Sequence, residues 1–169
     1  MSSTKYGHCS IIMGSWLYTF GGLFDGVSLG YTSNLVEAID TIDQLAAWIS
    51  MLEKRYTLGC HVDVFEAQEG ICVAGGQGDA SASYLSSAEF YNPQLDIWQE
   101  IASLSTRPGW SLMTMLGAAL IVSGGSPGDQ TSVEMWNGSN LVELDDQNLE
   151  AGRAGHAAVS IKAGVLSCI

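Results

Sequence analysis

Three histidines, four cysteines and three recurring glutamates are the residues of this 169-residue chain most able to do chemistry. His8, His61 and His156, with Cys9 and Cys60 beside the first two, are ligand types for a transition metal. A metal site needs several of them converging on one ion, and no close CxxC spacing brings that about. His8 and His156 instead stand after a glycine at matching points of an internal repeat, which favours a structural role. Glu37, Glu89 and Glu134 would act as acid and base only as a pair about 5–10 Å apart around a substrate. Occurring once per repeat, they read as acceptors of hydrogen bonds inside each repeat. Arg55, Arg107 and Arg153, with Lys5 in a similar place, sit in a chain with only six basic residues. Guanidinium forks suit carboxylates and backbone carbonyls, so a structural or inter-repeat role leads and a shared anion-binding face is the alternative. Ser123 lacks the Gly-x-Ser-x-Gly frame of a nucleophile elbow. Gly75-Gly76-Gln77-Gly78 lacks the lysine and following helix of a P-loop and reads as a turn. No nucleophile–base–orienter set stands out, so no catalytic residue, metal or cofactor is expected.

The bulk properties narrow the partners. A hydrophobic fraction of 47% and a charged fraction of 14% fit a packed globular chain. The net charge of −12 opposes binding to nucleic acid or an anionic membrane. A solvated acidic surface is the ordinary reading, and a protein with a basic face is the natural complement. The start of the chain lacks an apolar signal-like segment, and no run approaches the ~18 apolar residues of a spanning helix. The chain therefore reads as soluble, with cytoplasmic and extracellular settings both open. Cys9, Cys60, Cys72 and Cys168 are too sparse for a disulfide scaffold and read as buried thiols within strands. One or two disulfides stay open for an extracellular setting, which the sequon Asn137-Gly138-Ser139 would also fit.

The elements that must position these residues come from self-similarity. Apolar runs end in glycine pairs at Gly21-Gly22, Gly75-Gly76 and Gly124-Gly125, intervals of 54 and 49 residues. Each pair is followed by a segment holding Glu37, Glu89 or Glu134, and then by Trp48 or Trp98, with Val142 near the third tryptophan position. Before each pair comes a glycine opening: Tyr6-Gly7-His8, Leu58-Gly59-Cys60, Pro108-Gly109-Trp110 and Ala154-Gly155-His156. Four short strands fit each period, with the pair placed where the chain needs φ > 0 or a close backbone approach. One segment competes, since Glu37 to Leu52 taken alone could form an amphipathic helix. The repeat makes it strand, turn and strand.

The glycine pair, the later glutamate, the spaced tryptophan and the Arg…Gly-His opening together resemble kelch repeats. The resemblance covers nearly the whole chain: roughly 5–54, 55–106 and 107–152, with 153–169 opening a fourth. It implies an all-β fold of four-stranded antiparallel propeller blades, an incomplete ring of about 3.3 blades. It also implies a non-catalytic protein-interaction module, with a sugar oxidase or sugar epimerase as the alternative. Blade three lacks the tryptophan, and Gly59 stands in the second repeat where His8, Trp110 and His156 fall. Open blade edges need covering, so the chain is expected either to belong to a longer protein or to pair with a second copy. The loops after the glycine pairs should share one face, with Phe24, Asp25, Tyr31, Gln77, Asp79, Tyr84 and Asp129 as partner-binding candidates.

Overall fold

The computed structural model describes residues 4–24, 31–65, 67–79, 83–101, 103–105, 109–116, 119–126, 128, 130–136 and 141–156. Its first strands are Lys5–Tyr6 (β1), Cys9–Met13 (β2), Trp16–Phe20 (β3), Leu23–Phe24 (β4), Leu35–Asp40 (β5) and Ala46–Ser50 (β6). There follow Gly59–Phe65 (β7), Gln68–Ala74 (β8), Ala88–Asn92 (β9) and Ile97–Ile101 (β10). Leu112–Leu116 (β11), Ala119–Ser123 (β12), Val133–Trp136 (β13) and Leu141–Glu143 (β14) come last, before a 3-10 turn at Asp145–Gln147. Among the described residues three four-stranded sheets form, ordered β2-β3-β5-β6, β7-β8-β9-β10 and β11-β12-β13-β14, and β1 pairs with β4. Every pairing is antiparallel. The protein is all-β.

The contested segment 37–52 is strand, turn and strand. Ala46–Ser50 alternates exposed and half-buried residues, the period of a sheet and not of a helix. Asp40 Oδ1 accepts the N–H groups of Ile42 and Asp43, and Asn92 Oδ1 accepts those of Gln94 and Leu95. The same side-chain-capped turn thus closes both sheets.

The sheets stack in chain order. Tyr18, Phe20, Val36 and Ala38 meet Cys60, Ile71, Val73 and Tyr91 in a first core, into which Trp98 packs. Cys72, Ala74 and Phe90 meet Met113, Leu120, Val122 and Leu141 in a second. Consecutive residues of β8 feed the two cores alternately, so the middle sheet is apolar on both faces. A disulfide joins Cys9 to Cys60 across the first interface, with Cα atoms 6.0 Å apart. This corrects the reading of these two as thiols: adjacent first strands bring them to bonding distance, which their 51-residue separation concealed. Cys72 is buried, and Cys168 lies outside the described residues.

The glycine pairs have a mechanical reason. All six glycines take positive φ, from 59° to 124°. Gly22 N–H donates to Arg55 O at 3.0 Å and Gly125 N–H to Arg153 O at 2.8 Å, so the first and third pairs receive the linker leaving their own sheet. A Cβ on Gly124 would sit 2.5 Å from Arg153 O, one on Gly76 2.6 Å from Tyr56 O, and one on Gly21 would overlap Arg55 O.

Two registers differ from the sequence reading. The residues in register with Gly7 are Thr57, Trp110 and Gly155, not Gly59 or Gly109. All four have φ between 55° and 66°. They are linked by Thr57 N–H to Gly7 O at 2.5 Å, Trp110 N–H to Thr57 O at 2.9 Å and Gly155 N–H to Trp110 O at 2.9 Å. Glycine was the signal sought, and threonine and tryptophan occupy two of the left-handed positions. The tryptophans are likewise offset. Trp98 lies opposite Tyr91, whereas Trp48 lies opposite Glu37, two places along the equivalent pair. Trp48 is consequently 63% exposed on the face of the first sheet turned away from the second. In the third sheet Leu141, not Val142, takes the place of Trp98, opposite Trp136.

Candidate functional site

The linkers between sheets are anchored by the recurring glutamates. Glu89, 1% exposed, accepts Leu52 N–H at 2.7 Å, Glu53 N–H at 3.0 Å and Arg55 Nη2 at 2.6 Å. Arg55 is fully buried and donates further to Gly75 O, Ser87 O and Glu53. Glu134 accepts Ser105 N–H at 2.8 Å, and Lys5 Nζ lies 3.4 Å from Glu37 Oε2 with both side chains buried. These carboxylates sit in separate sheets and hold backbone and cations, the arrangement of a strut rather than of a catalytic pair. Arg55 spends its fork inside the protein. Arg107 lies outside the described residues, and Arg153 Nε donates to Ala151 O.

At the same end the loops after the glycine pairs adjoin. Thr32 Oγ1 donates to Gly78 O at 3.3 Å, joining the first loop to the second. Tyr84 Oη lies 3.5 Å from Ser126 Oγ, joining the second to the third. Phe24 and Tyr31 pack ring against ring at 4.9 Å, and Tyr31 is exposed. Gln77 bridges Tyr56 and Tyr84 through backbone pairing, and exposed Asp79 pairs with Lys54 at 2.7 Å. Asp25 and Asp129 lie outside the described residues.

Beside these loops, where β2, β7 and β11 begin, lies a cavity of about 240 Å³. His8, Thr57, Trp110, Ser111 and His156 line it, as do both disulfide cysteines. Thr57 and Ser111 are only 6% and 8% exposed. Thr57 Oγ1, Ser111 Oγ, His8 Nδ1 and His156 Nδ1 are all buried without a hydrogen-bond partner among the described residues. Four such atoms around one cavity are unusual, since a buried polar group left unsatisfied costs about 1–3 kcal/mol. His156 Nε2 lies 3.2 Å from Ser123 Oγ. Burial, and then the charge of Arg153, push the His156 imidazole below its ordinary value, so it is neutral near pH 7. The cavity therefore offers a neutral His156 imidazole and two hydroxyls able both to give and to take hydrogen bonds.

Sequence reasoning placed His8 and His156 here only as structural repeats, and it missed Thr57 and Ser111, which carry no motif. The Ser123–His156 contact has no carboxylate orienting Nδ1 among the described residues, and so falls short of a triad. Among the described residues no three His, Cys, Asp or Glu side chains group as metal ligands. No described helix is long and apolar enough to cross a membrane.

No protein-family model matches the chain, and no curated protein matches it. A solved structure titled "Structure of YjhT" is similar, with a TM-score of 0.68 at 11% identity. The match covers 83% of this chain and 52% of that one, so the chain spans about half of its neighbour's length. At that identity the likeness concerns the fold alone: stacked, four-stranded antiparallel sheets in an all-β chain.

Proposed function

We propose that the chain is a segment of a kelch-type β-propeller, its sheets the blades, and that it works as a non-catalytic protein-binding module through its loop end. Support for the architecture lies in the repeated order of four strands in each sheet and in the first and third glycine pairs, which receive the linker leaving their own sheet. The exposed outer face of the first sheet, with Ile12 and Trp48 on it, suits a further blade from a longer chain or a second copy. The observation carrying the function is a cavity of unsatisfied polar groups beside loops that adjoin one another. Exposed Trp110 on the cavity lining, with exposed Tyr31 in the first loop, is the kind of aromatic anchor a recognition surface uses. A protein with a basic face complements the net charge of −12.

The test is affinity capture with quantitative mass spectrometry, comparing wild type with Tyr31→Ala/Asp79→Ala and with a Val64→Ser control. Val64 is exposed and lies away from the loops, at the far end of β7. A partner lost from the double variant and kept by the control supports the reading. Partners retained equally by both would overturn it.

A further inference from the structure

A second opening lies at the other end of the stack. Between the first and second sheets, beside the β2–β3 turn at Gly14 and the β9–β10 turn at Pro93, a cleft of about 430 Å³ opens. That volume falls within the roughly 300–1,000 Å³ of ligand-sized pockets. Trp16, Tyr18 and Tyr91 wall it, and exposed Glu69 stands on its lining. The rings are mutually braced: Tyr18 packs edge-on to Tyr91 at 6.1 Å and Trp16 lies 6.4 Å from Tyr18. Tyr91 Oη donates to Asp96 Oδ1 at 2.9 Å, which fixes its ring and places a carboxylate behind it.

The basic residues gather at one end. The described basic residues, Lys5, Lys54, Arg55 and Arg153, all lie in or beside the linkers at the glycine-pair end. The turns at the cleft end carry Asp40, Asp43 and Asp96, with Glu69 close to the β7–β8 turn. Aromatic faces attract cations within about 6 Å of the ring, and an acidic, cation-poor surround strengthens the selection.

We infer that this cleft receives the arginine or lysine side chain of a basic protein segment, laid against the Trp16, Tyr18 and Tyr91 rings with Glu69 at its charged head. This site is independent of the loop-end reading, because the two lie at opposite ends of the sheets. Arginine suits it best, since a planar guanidinium stacks on rings and still offers donors at its edge.

The experiment follows the tryptophan indole N–H signals by NMR while a blocked peptide of glycines around one arginine is added. The Trp16 signal, assigned with Trp16→Phe, is expected to shift saturably. Replacing arginine by citrulline, its neutral isostere, should weaken binding at least fivefold. Glu69→Gln should weaken it roughly three- to fivefold, as removal of one partly screened charge does. Glu69 is exposed, so this variant keeps its fold. No saturable shift, equal binding of the citrulline peptide, or an unchanged affinity in Glu69→Gln would overturn the inference. A response at the Trp110 indole alone would also overturn it, and would leave the loop-end reading standing.

Discussion

Replacing Glu89 by glutamine tests whether the recurring carboxylate holds one sheet to the next. Glu89 is 1% exposed and accepts two backbone N–H groups from the incoming linker as well as the guanidinium of fully buried Arg55. Glutamine keeps the shape, removes the charge and turns an amide NH₂ toward one of these donors. Arg55 is then left with Glu53, whose side chain is 44% exposed and therefore screened. Breaking a buried pair from one side costs about 3–5 kcal/mol. At roughly 2–4 °C per kcal/mol for a domain of this size, the Tm should fall by about 6–20 °C. Glu53→Gln removes the exposed partner of the same arginine and should cost less than about 1 kcal/mol. Urea unfolding followed by tryptophan fluorescence and circular dichroism measures both, with equal m-values confirming that the compared states match. A Glu89→Gln protein within about 1 kcal/mol of wild type, or no less stable than Glu53→Gln, would refute the reasoning.

Gly14 and Gly21 have φ of 60° and 59°, but a Cβ meets nothing within 4 Å at Gly14 and the Arg55 carbonyl at Gly21. Gly14→Ala should cost about 1–2 kcal/mol and Gly21→Ala more than about 3 kcal/mol, measured by the same unfolding series; equal costs would show that linker approach is not what the pair serves. The Cys9→Ser/Cys60→Ser protein should lose about 4 kcal/mol, the loop-closure value for a separation of 51 residues, and its melt should no longer respond to reductant. His156 is held below its ordinary pKa of 6.5 when folded, so the unfolded chain takes up its proton first as pH falls. Its contribution should be complete above about pH 6.5 and decline below it, and melts from pH 7.5 to 5.5 should show a shallower slope in His156→Gln than in wild type.

The four-stranded antiparallel sheets and the glycine pairs were readable, because each pair meets a backbone demand that only glycine satisfies without strain, while the expected fourth repeat falls mostly on residues 157–169, outside the described residues. The turn after Asp40 was readable in outline too, through the repeat, against a local pattern that favoured a helix. What stayed hidden had no residue-type signature. Thr57 and Trp110 hold φ of 55° and 59° at positions where Gly7 and Gly155 showed the glycine, so the opening landmark was read out of register in two repeats. Trp48 and Trp98 do not share a strand position, because they are 50 residues apart whereas Glu37 and Glu89, which the strand pairing makes equivalent, are 52 apart. The cavity escaped for a related reason. It is built by serine, threonine and histidine from three sheet starts and the 154–156 segment, and only the packing of the sheets brings them together.

The Cys9–Cys60 bond also sets how the protein would respond to being pulled. It ties the first strand of the first full sheet to that of the second and encloses everything between them. Tension applied from outside the loop would pass across the bridge and leave the 51-residue span slack, hiding about 170–180 Å of extendable chain at roughly 3.3–3.6 Å per residue. The first two sheets would yield as one mechanical body in an oxidising setting and as two in a reducing one, so the extension released per rupture would report the redox state of the surroundings.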